Sequence, residues 1–312
     1  MAAGRVMNRR VNAPGIREQK QVMGWSFGVA VVLLVVKVTA AVITGSSAIY
    51  SDAAESVVHV LATGFAVWAL RMTLKPADED HHFGHEKAGF LSAGFEGGMI
   101  SVAALLIFYE AVKQLWTGVR IEHLGLGAVL TGCAAMINMV LGSALLVIGK
   151  RSSSTVLRAN GLHVLTDVWT SAAVLVALLL IRLTGWAWWD PIAASLAAAN
   201  ILRTGFSLIR QSFAGLMDAA DQEMEKRLND ALDGETGSRG MGHHNLRHRF
   251  TGQTHWVEFH LVFPDTLTLS EAHRAATEIE GRIAGLLKPR GRVISHLEPE
   301  SAAGVEETWE GR

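Results

Sequence analysis

The residues of this chain best suited to chemistry lie where ionisable groups are costly. The segment SDAAESVVHV, residues 51–60, carries Asp52, Glu55 and His59 inside a stretch otherwise apolar enough to cross a bilayer. Glu55 and His59 are four apart, so on a helix they stack on one face, with Asp52 one turn earlier on the same stripe. Further on, ANGLHVLTDVWTS repeats the arrangement, with His163 and Asp167 again four apart. Two such helices, each with one imidazole and one carboxylate a turn apart, can offer four nitrogen and oxygen donors to a tetrahedral divalent cation. Interhelical hydrogen bonds or snorkelling would account for a single polar residue. They account poorly for two matched pairs, because each charged group costs at least ~2.5 kcal/mol near the bilayer centre. Asp52 is expected beside the ligands rather than among them. Lys37 reads as a counter-charge or a snorkelling side chain.

These donors need helices to hold them, and the composition supplies them. Half of the 312 residues are hydrophobic and 18% are charged, and the mean hydropathy is positive. That is the profile of a polytopic membrane protein with a polar appendage. A formal charge of −1 gives no footing for nucleic acid, and a single cysteine, Cys133, excludes an intrachain disulfide or a cysteine-based zinc knuckle. A spanning helix needs roughly 20 mostly apolar residues. Six candidates meet that need, over residues 22–44, 47–74, 89–116, 124–148, 156–183 and 192–210. Charges in the second, third and fifth read as interruptions of otherwise apolar spans. The Arg-rich start precedes a long run holding Lys37, which reads as an uncleaved first span. Basic residues gather on one side: the N-terminal arm, Arg71, Lys75 and Lys87, then Lys150, Arg151 and Arg158, then Arg203 and Arg210. The positive-inside rule puts that side, and both termini, in the cytoplasm. GWAWWDP at 185–191 reads as an interfacial aromatic belt.

After Gln211 the composition becomes that of a soluble domain. Residues 221–232 read as an amphipathic helix and 233–242 as a loop. In THWVEFHLVF, Val257, Phe259, Leu261 and Phe263 alternate with Trp256, Glu258 and His260, the pattern of a half-buried strand. A helix over 270–287, capped by Ser270, carries the stripe Ala272, Ala276, Ile279, Ile283 and Leu286, and a last strand covers 292–299. The order helix, strand, strand, helix, strand predicts a small α+β sandwich. The expected division is an N-terminal arm at 1–21, a six-helix transmembrane domain at 22–212, a metal-binding and dimerisation domain at 213–300 and a tail at 301–312.

The run VKVTAAVITGSSAIYSDAAESVVHVLA, the connector PADEDHHFGHEKA, the later HVLTD and the closing SHLEP together resemble the cation diffusion facilitator family of metal exporters, in particular its bacterial zinc and ferrous-iron efflux branch. The resemblance spans residues 22 to 300. It implies a homodimer of six-helix protomers in the inner membrane, a ferredoxin-like, metallochaperone-like cytoplasmic domain, and metal/proton antiport rather than enzymatic turnover. The transport site would be Glu55, His59, His163 and Asp167. The family usually has Asp-x-x-x-Asp or His-x-x-x-Asp in the second helix, and here the order is Glu-x-x-x-His. Two imidazoles favour zinc over manganese or magnesium, and cadmium, cobalt and ferrous iron stay open. Asp78, His81 and His85 match a connector metal site, with Asp80 and His82 able to substitute. His244, His260, His273, His296 and Glu298 match an intersubunit binuclear site, which would tighten the dimer when cytosolic metal is high. Lys87 and Asp218 match a charge interlock at the dimer hinge. His243, His248 and His255 read as plain surface residues. The implied partners are a second copy, the bilayer, divalent metal as substrate and structural ion (zinc first), and protons. A membrane metalloenzyme and a metal sensor are the competing classes; no His-Glu-x-x-His signature supports the former.

Overall fold

In a computed structural model the structure describes residues 14–44, 47–117, 126–186 and 188–302. The chain divides into two compact units, Met1–Ala214 and Gly215–Arg312. The first holds six long helices: α1 (Pro14–Thr44), α2 (Ser47–Thr73), α3 (Ala88–Thr117), α4 (Leu126–Arg151), α5 (Thr155–Thr184) and α6 (Trp189–Leu216). They run 26 to 31 residues each, enough at ~1.5 Å per residue to cross a hydrocarbon core of ~30 Å. Among the described residues, all but α2 are also apolar enough to do so. α2 has the length, and it is the helix that carries Asp52, Glu55 and His59 in sequence. α1 starts at Pro14, earlier than hydropathy indicates, because residues before Val22 are polar but still helical.

The outward faces stay apolar: Val35, Leu61, Leu105, Val140, Leu179 and Phe206 are all exposed. A bundle with an apolar exterior and satisfied backbone suits lipid. Inside, α5 belongs to two packed clusters. Val156, Leu157 and Val164 meet Val22 and Met23 of α1, Ala66, Ala69 and Leu70 of α2, and Leu145 of α4. Ala159 meets Ala93, Ile100 and Ala104 of α3 and Ile201 and Leu208 of α6. Small residues set the α3–α6 approach. A Cβ at Gly97 would lie 2.8 Å from the Gly205 carbonyl oxygen and 2.9 Å from the Leu208 Cβ. The Ser212 hydroxyl donates to the Phe90 carbonyl across the same seam, 2.6 Å.

The second unit comprises α7 (Gln222–Gly237), β1 (Gly242–Phe250), β2 (His255–Phe263), α8 (Leu269–Leu286) and β3 (Gly291–Pro299). The sheet order is β1-β2-β3, with β1 antiparallel and β3 parallel to β2. Val257, Phe259, Leu261 and Phe263 face Leu228 and Leu232 of α7 and Ala272, Ala276, Ile279 and Ile283 of α8. Three local expectations need correcting. Residues 233–237 continue α7 and Gly242 opens β1, so the expected loop shrinks to a short turn. The cap of α8 is Thr268, not Ser270: its hydroxyl accepts from the Glu271 N–H while Glu271 reaches back to the Thr268 N–H, a reciprocal capping box. Leu286 is exposed, and Leu287 fills the core instead.

Two outcomes are expected. Gly97→Leu forces α3 and α6 apart, and overpacking of this kind costs about 1–3 kcal/mol, visible as a lower thermal midpoint of the detergent-solubilised protein. Thr268→Ala costs about 1 kcal/mol of stability in the second unit by urea denaturation, the usual value of a lost N-cap. The Thr268 hydroxyl, then its N–H, holds the Glu271 carboxyl below its ordinary range. A depressed carboxyl stabilises above its unfolded value and loses that contribution as pH falls through the folded one. The gap between parent and variant therefore narrows in acid.

Candidate metal centres

Among the described residues three groups of donors converge, each with its ligand atoms within 4.8 Å of one another: His59, His163 and Asp167; Asp78, His81 and His85; and His244, His260 and Glu298.

In the first, the i, i+4 spacing on α5 sets His163 and Asp167 a turn apart, and both reach His59 on α2. His163 Nε2 lies 3.2 Å from His59 Nδ1, and Asp167 Oδ2 lies 3.2 Å from the same nitrogen. Donors around a tetrahedral zinc with bonds of 2.0–2.1 Å stand roughly 3.3 Å apart, so this spacing is that of a coordination edge. The side chains of Asp52, Glu55 and Lys37 lie outside the described residues. The geometry also brings in groups that spacing alone did not single out. Glu96 of α3 is fully buried, and its Oε2 stands 3.2 Å from His163 Nδ1. Asn160 donates to Glu96 Oε1, 3.2 Å, and Ser26 of α1 donates to Asn160 Oδ1, 2.9 Å. The signal for Glu96 was a lone acid between glycines in SAGFEGGM.

The connector group is built on a turn closed by mutual backbone hydrogen bonds between Asp78 and His81, with Gly84 at positive φ. Asp78 Oδ1 meets His81 Nδ1 at 3.1 Å and Oδ2 meets His85 Nε2 at 3.5 Å. His85 is buried, and neither of its ring nitrogens has a hydrogen-bond partner among the described residues. Buried polar atoms are normally satisfied, so this ring is poised for a ligand. Lys75 Nζ donates to Asp78 Oδ2. That bond, helped by His81, holds the Asp78 carboxyl well below the usual carboxylate range. Asp80 and His82 are exposed.

The third group arises from sheet register. His244 pairs with His260, and His260 with His296, one row across three strands. Residues directly opposite share a face, so three imidazoles line up on the side away from the helices. Glu298 Oε1 meets His260 Nδ1 at 2.7 Å, and Oε2 meets His244 Nε2 at 3.2 Å. His244 Nε2 is 3.1 Å from His260 Nδ1, and His296 Nε2 is 3.8 Å from Glu298 Oε1. A bulge follows His244, with Asn245 at φ 51°, a conformation asparagine tolerates. Asn245 Nδ2 then sits 3.2 Å from His260 Nε2. His273 is exposed on α8, apart from this group within the protomer. Asp218 pairs with Arg249, 3.4 Å, and Lys87 is half-buried just before α3.

His243, His248 and His255 are not plain surface residues. His243 is half-buried near the Thr236 hydroxyl, 3.4 Å away. His248 Nε2 is buried. His255 rests on Phe250, ring centroids 4.5 Å apart, and burial lowers its basicity. All three are paired residues of the β1–β2 ladder, where even a polar side chain is partly covered.

Residues 25–217 match the family described as the cation efflux transmembrane domain, and residues 220–300 match the cation efflux protein cytoplasmic domain. The chain is 38% identical over 274 residues to an uncharacterized transporter of Synechocystis sp., covering 88% of each. It is 32% identical over 279 residues to the cation-efflux pump FieF of Shewanella oneidensis, covering 88% of this chain and 92% of the relative. With the Escherichia coli FieF the figures are 30% over 272 residues, 86% and 89%. A bundle of lipid-facing helices, a mixed three-stranded sheet beside two helices, and matches over both parts make one assignment: this chain belongs to the cation efflux (cation diffusion facilitator) family and is a multi-pass cation efflux transporter with a C-terminal cytoplasmic domain.

Proposed function

We propose that the protein exports cytosolic zinc in exchange for protons, through a site made by Glu55, His59, His163 and Asp167. The observation that carries this reading is the closure of two imidazoles and a carboxylate, from α2 and α5, to 3.2 Å inside an apolar bundle. Two nitrogen donors with carboxylate oxygen suit zinc better than harder ions. Ligands must shed protons to coordinate, so metal capture and proton release are coupled. Protonation of His59 or His163 removes a donor, so protons entering from the more acidic face release the ion there. In this reading both termini are cytoplasmic, the Lys87–Asp218 interlock serves a homodimer, and the dimer forms through the cytoplasmic domain. Metal at His244, His260, His296 and Glu298, with His273, tightens that contact. The connector residues Asp78, His81 and His85 hold a further ion at the membrane surface.

Inverted vesicles with an imposed proton gradient provide the test. His59→Ala, His163→Ala and Asp167→Ala are each expected to reduce zinc uptake to background while folded dimer persists; uptake at the parent rate in His163→Ala or Asp167→Ala removes those residues from the transport step. At the connector, Lys75→Met frees Asp78 from its competing ammonium. An exposed pair of this kind is weak, so metal affinity there should rise by no more than about five-fold by calorimetry.

A further inference from the structure

We infer that Glu96 is a positioning residue for the intramembrane site: its buried carboxylate stands at the Nδ1 of His163 and, by taking up that N–H when metal binds, fixes the ring with Nε2 turned to the metal. The inference rests on reading His163 as a ligand. A histidine has two nitrogens, and a metal can use only the one without a hydrogen. His163 Nε2 faces His59, 3.2 Å away, and His163 Nδ1 stands 3.2 Å from Glu96 Oε2, a close pairing of buried atoms that is not aligned as a hydrogen bond in this structure and needs only a small turn of the ring to become one. One ring thus bridges the donor group and an acid that does not belong to it. An acceptor on the far nitrogen selects the tautomer, restrains rotation about the ring axis and raises the basicity of the ligating atom.

Glu96 is itself held in place. It is fully buried, and its second oxygen accepts from Asn160 Nδ2 at 3.2 Å. Asn160 is one turn before His163 on α5, and its carbonyl oxygen is fixed by the Ser26 hydroxyl of α1 at 2.9 Å. Rotation of Glu96 would therefore break a thread running through α1, α5 and α3. The next residue, Gly97, lets α6 lie against α3, which backs the helix that carries the acid. If the acid only fastened helices together, the Asn160 bond would suffice, and nothing would require its other oxygen to meet the one ring nitrogen turned from the donors.

The test uses full-length protein in nanodiscs, with Asp78→Ala, His244→Ala and His260→Ala removing the other two donor groups, and cobalt(II) as the probe. Its visible absorption reports tetrahedral coordination, and its titration gives affinity. Glu96→Gln keeps the volume and removes the charge; it is expected to lower cobalt affinity several-fold and weaken the band. Glu96→Ala is expected to lower affinity 10- to 100-fold, the usual range for such partners. In a His163→Ala background, Glu96→Gln should have no further effect, since the ring through which it acts is gone. Restoration of most of the affinity by Glu96→Asp supports the same conclusion. Parent affinity and band in Glu96→Gln, with both lost in His163→Ala, overturn the inference and leave the proposed site standing. An equal loss from Glu96→Gln with and without His163 also overturns it, because packing would then be the cause. Parent binding in His163→Ala overturns the site and the inference together. Should Glu96→Ala not fold, Glu96→Gln alone decides.

Discussion

Ionisable groups inside an apolar bundle must find partners, and that constraint organises the membrane unit. Six side chains from four helices form one connected series: Ser26, Asn160, Glu96, His163, His59 and Asp167. Each polar atom near the series is expensive to leave unmatched. The series therefore fixes which faces of α1, α2, α3 and α5 can meet, much as a single buried polar residue fixes register in a coiled coil. The apolar clusters around it supply bulk packing, but many alternative packings would bury the same Leu and Val. Few would also join an acid on α3 to a histidine on α5 and that histidine to another on α2.

The cytoplasmic domain reaches a similar donor set by a different geometric rule. A helix brings i and i+4 together and needs a second helix to complete a group. The sheet brings together residues that are far apart in sequence, because register alone sets His244 beside His260 and His260 beside His296. The bulge after His244 matters here. It shifts the later part of β1 by one residue against β2, so the hydrophobic pattern of β2 need not dictate the faces of both ends of β1. The helices cover one side of the sheet and leave the histidine row on the other, where metal can approach.

How much of this was legible beforehand depended on whether the signal was periodic. That His163 and Asp167 share a face of α5 was readable because four-residue spacing is a property of one helix; that both meet His59 of α2 was not given by spacing. β2 was readable too: its alternating Val257, Phe259, Leu261 and Phe263 are all buried as the pattern requires. Glu96 was visible only as a charge interrupting a span, since its meaning lies in a contact with a helix two elements away. The α8 cap was legible in principle: Thr268 stands three residues before Glu271, the capping-box spacing, whereas Ser270 has no such partner. Trp256 was placed on the polar face of its strand and is there, but Arg249 and Arg292 stack over it at 5.7 and 5.0 Å and bury it. Side-chain alternation tells which way a residue points and says nothing of what long neighbours lay across it.

α5 carries the largest share of these constraints, and the reason is its position. It packs against α4 through closely approaching glycines: a Cβ at Gly142 would stand 2.8 Å from the Leu165 side chain, and one at Gly161 would stand 3.1 Å from Leu145. On its other faces it meets α1, α2 and α3. A helix surrounded on so many sides cannot turn about its axis without moving every neighbour, so His163 and Asp167 sit on the most rotationally restrained element in the bundle. His59 sits on α2, which packs against α1 and α5 through Ala66, Ala69 and Leu70.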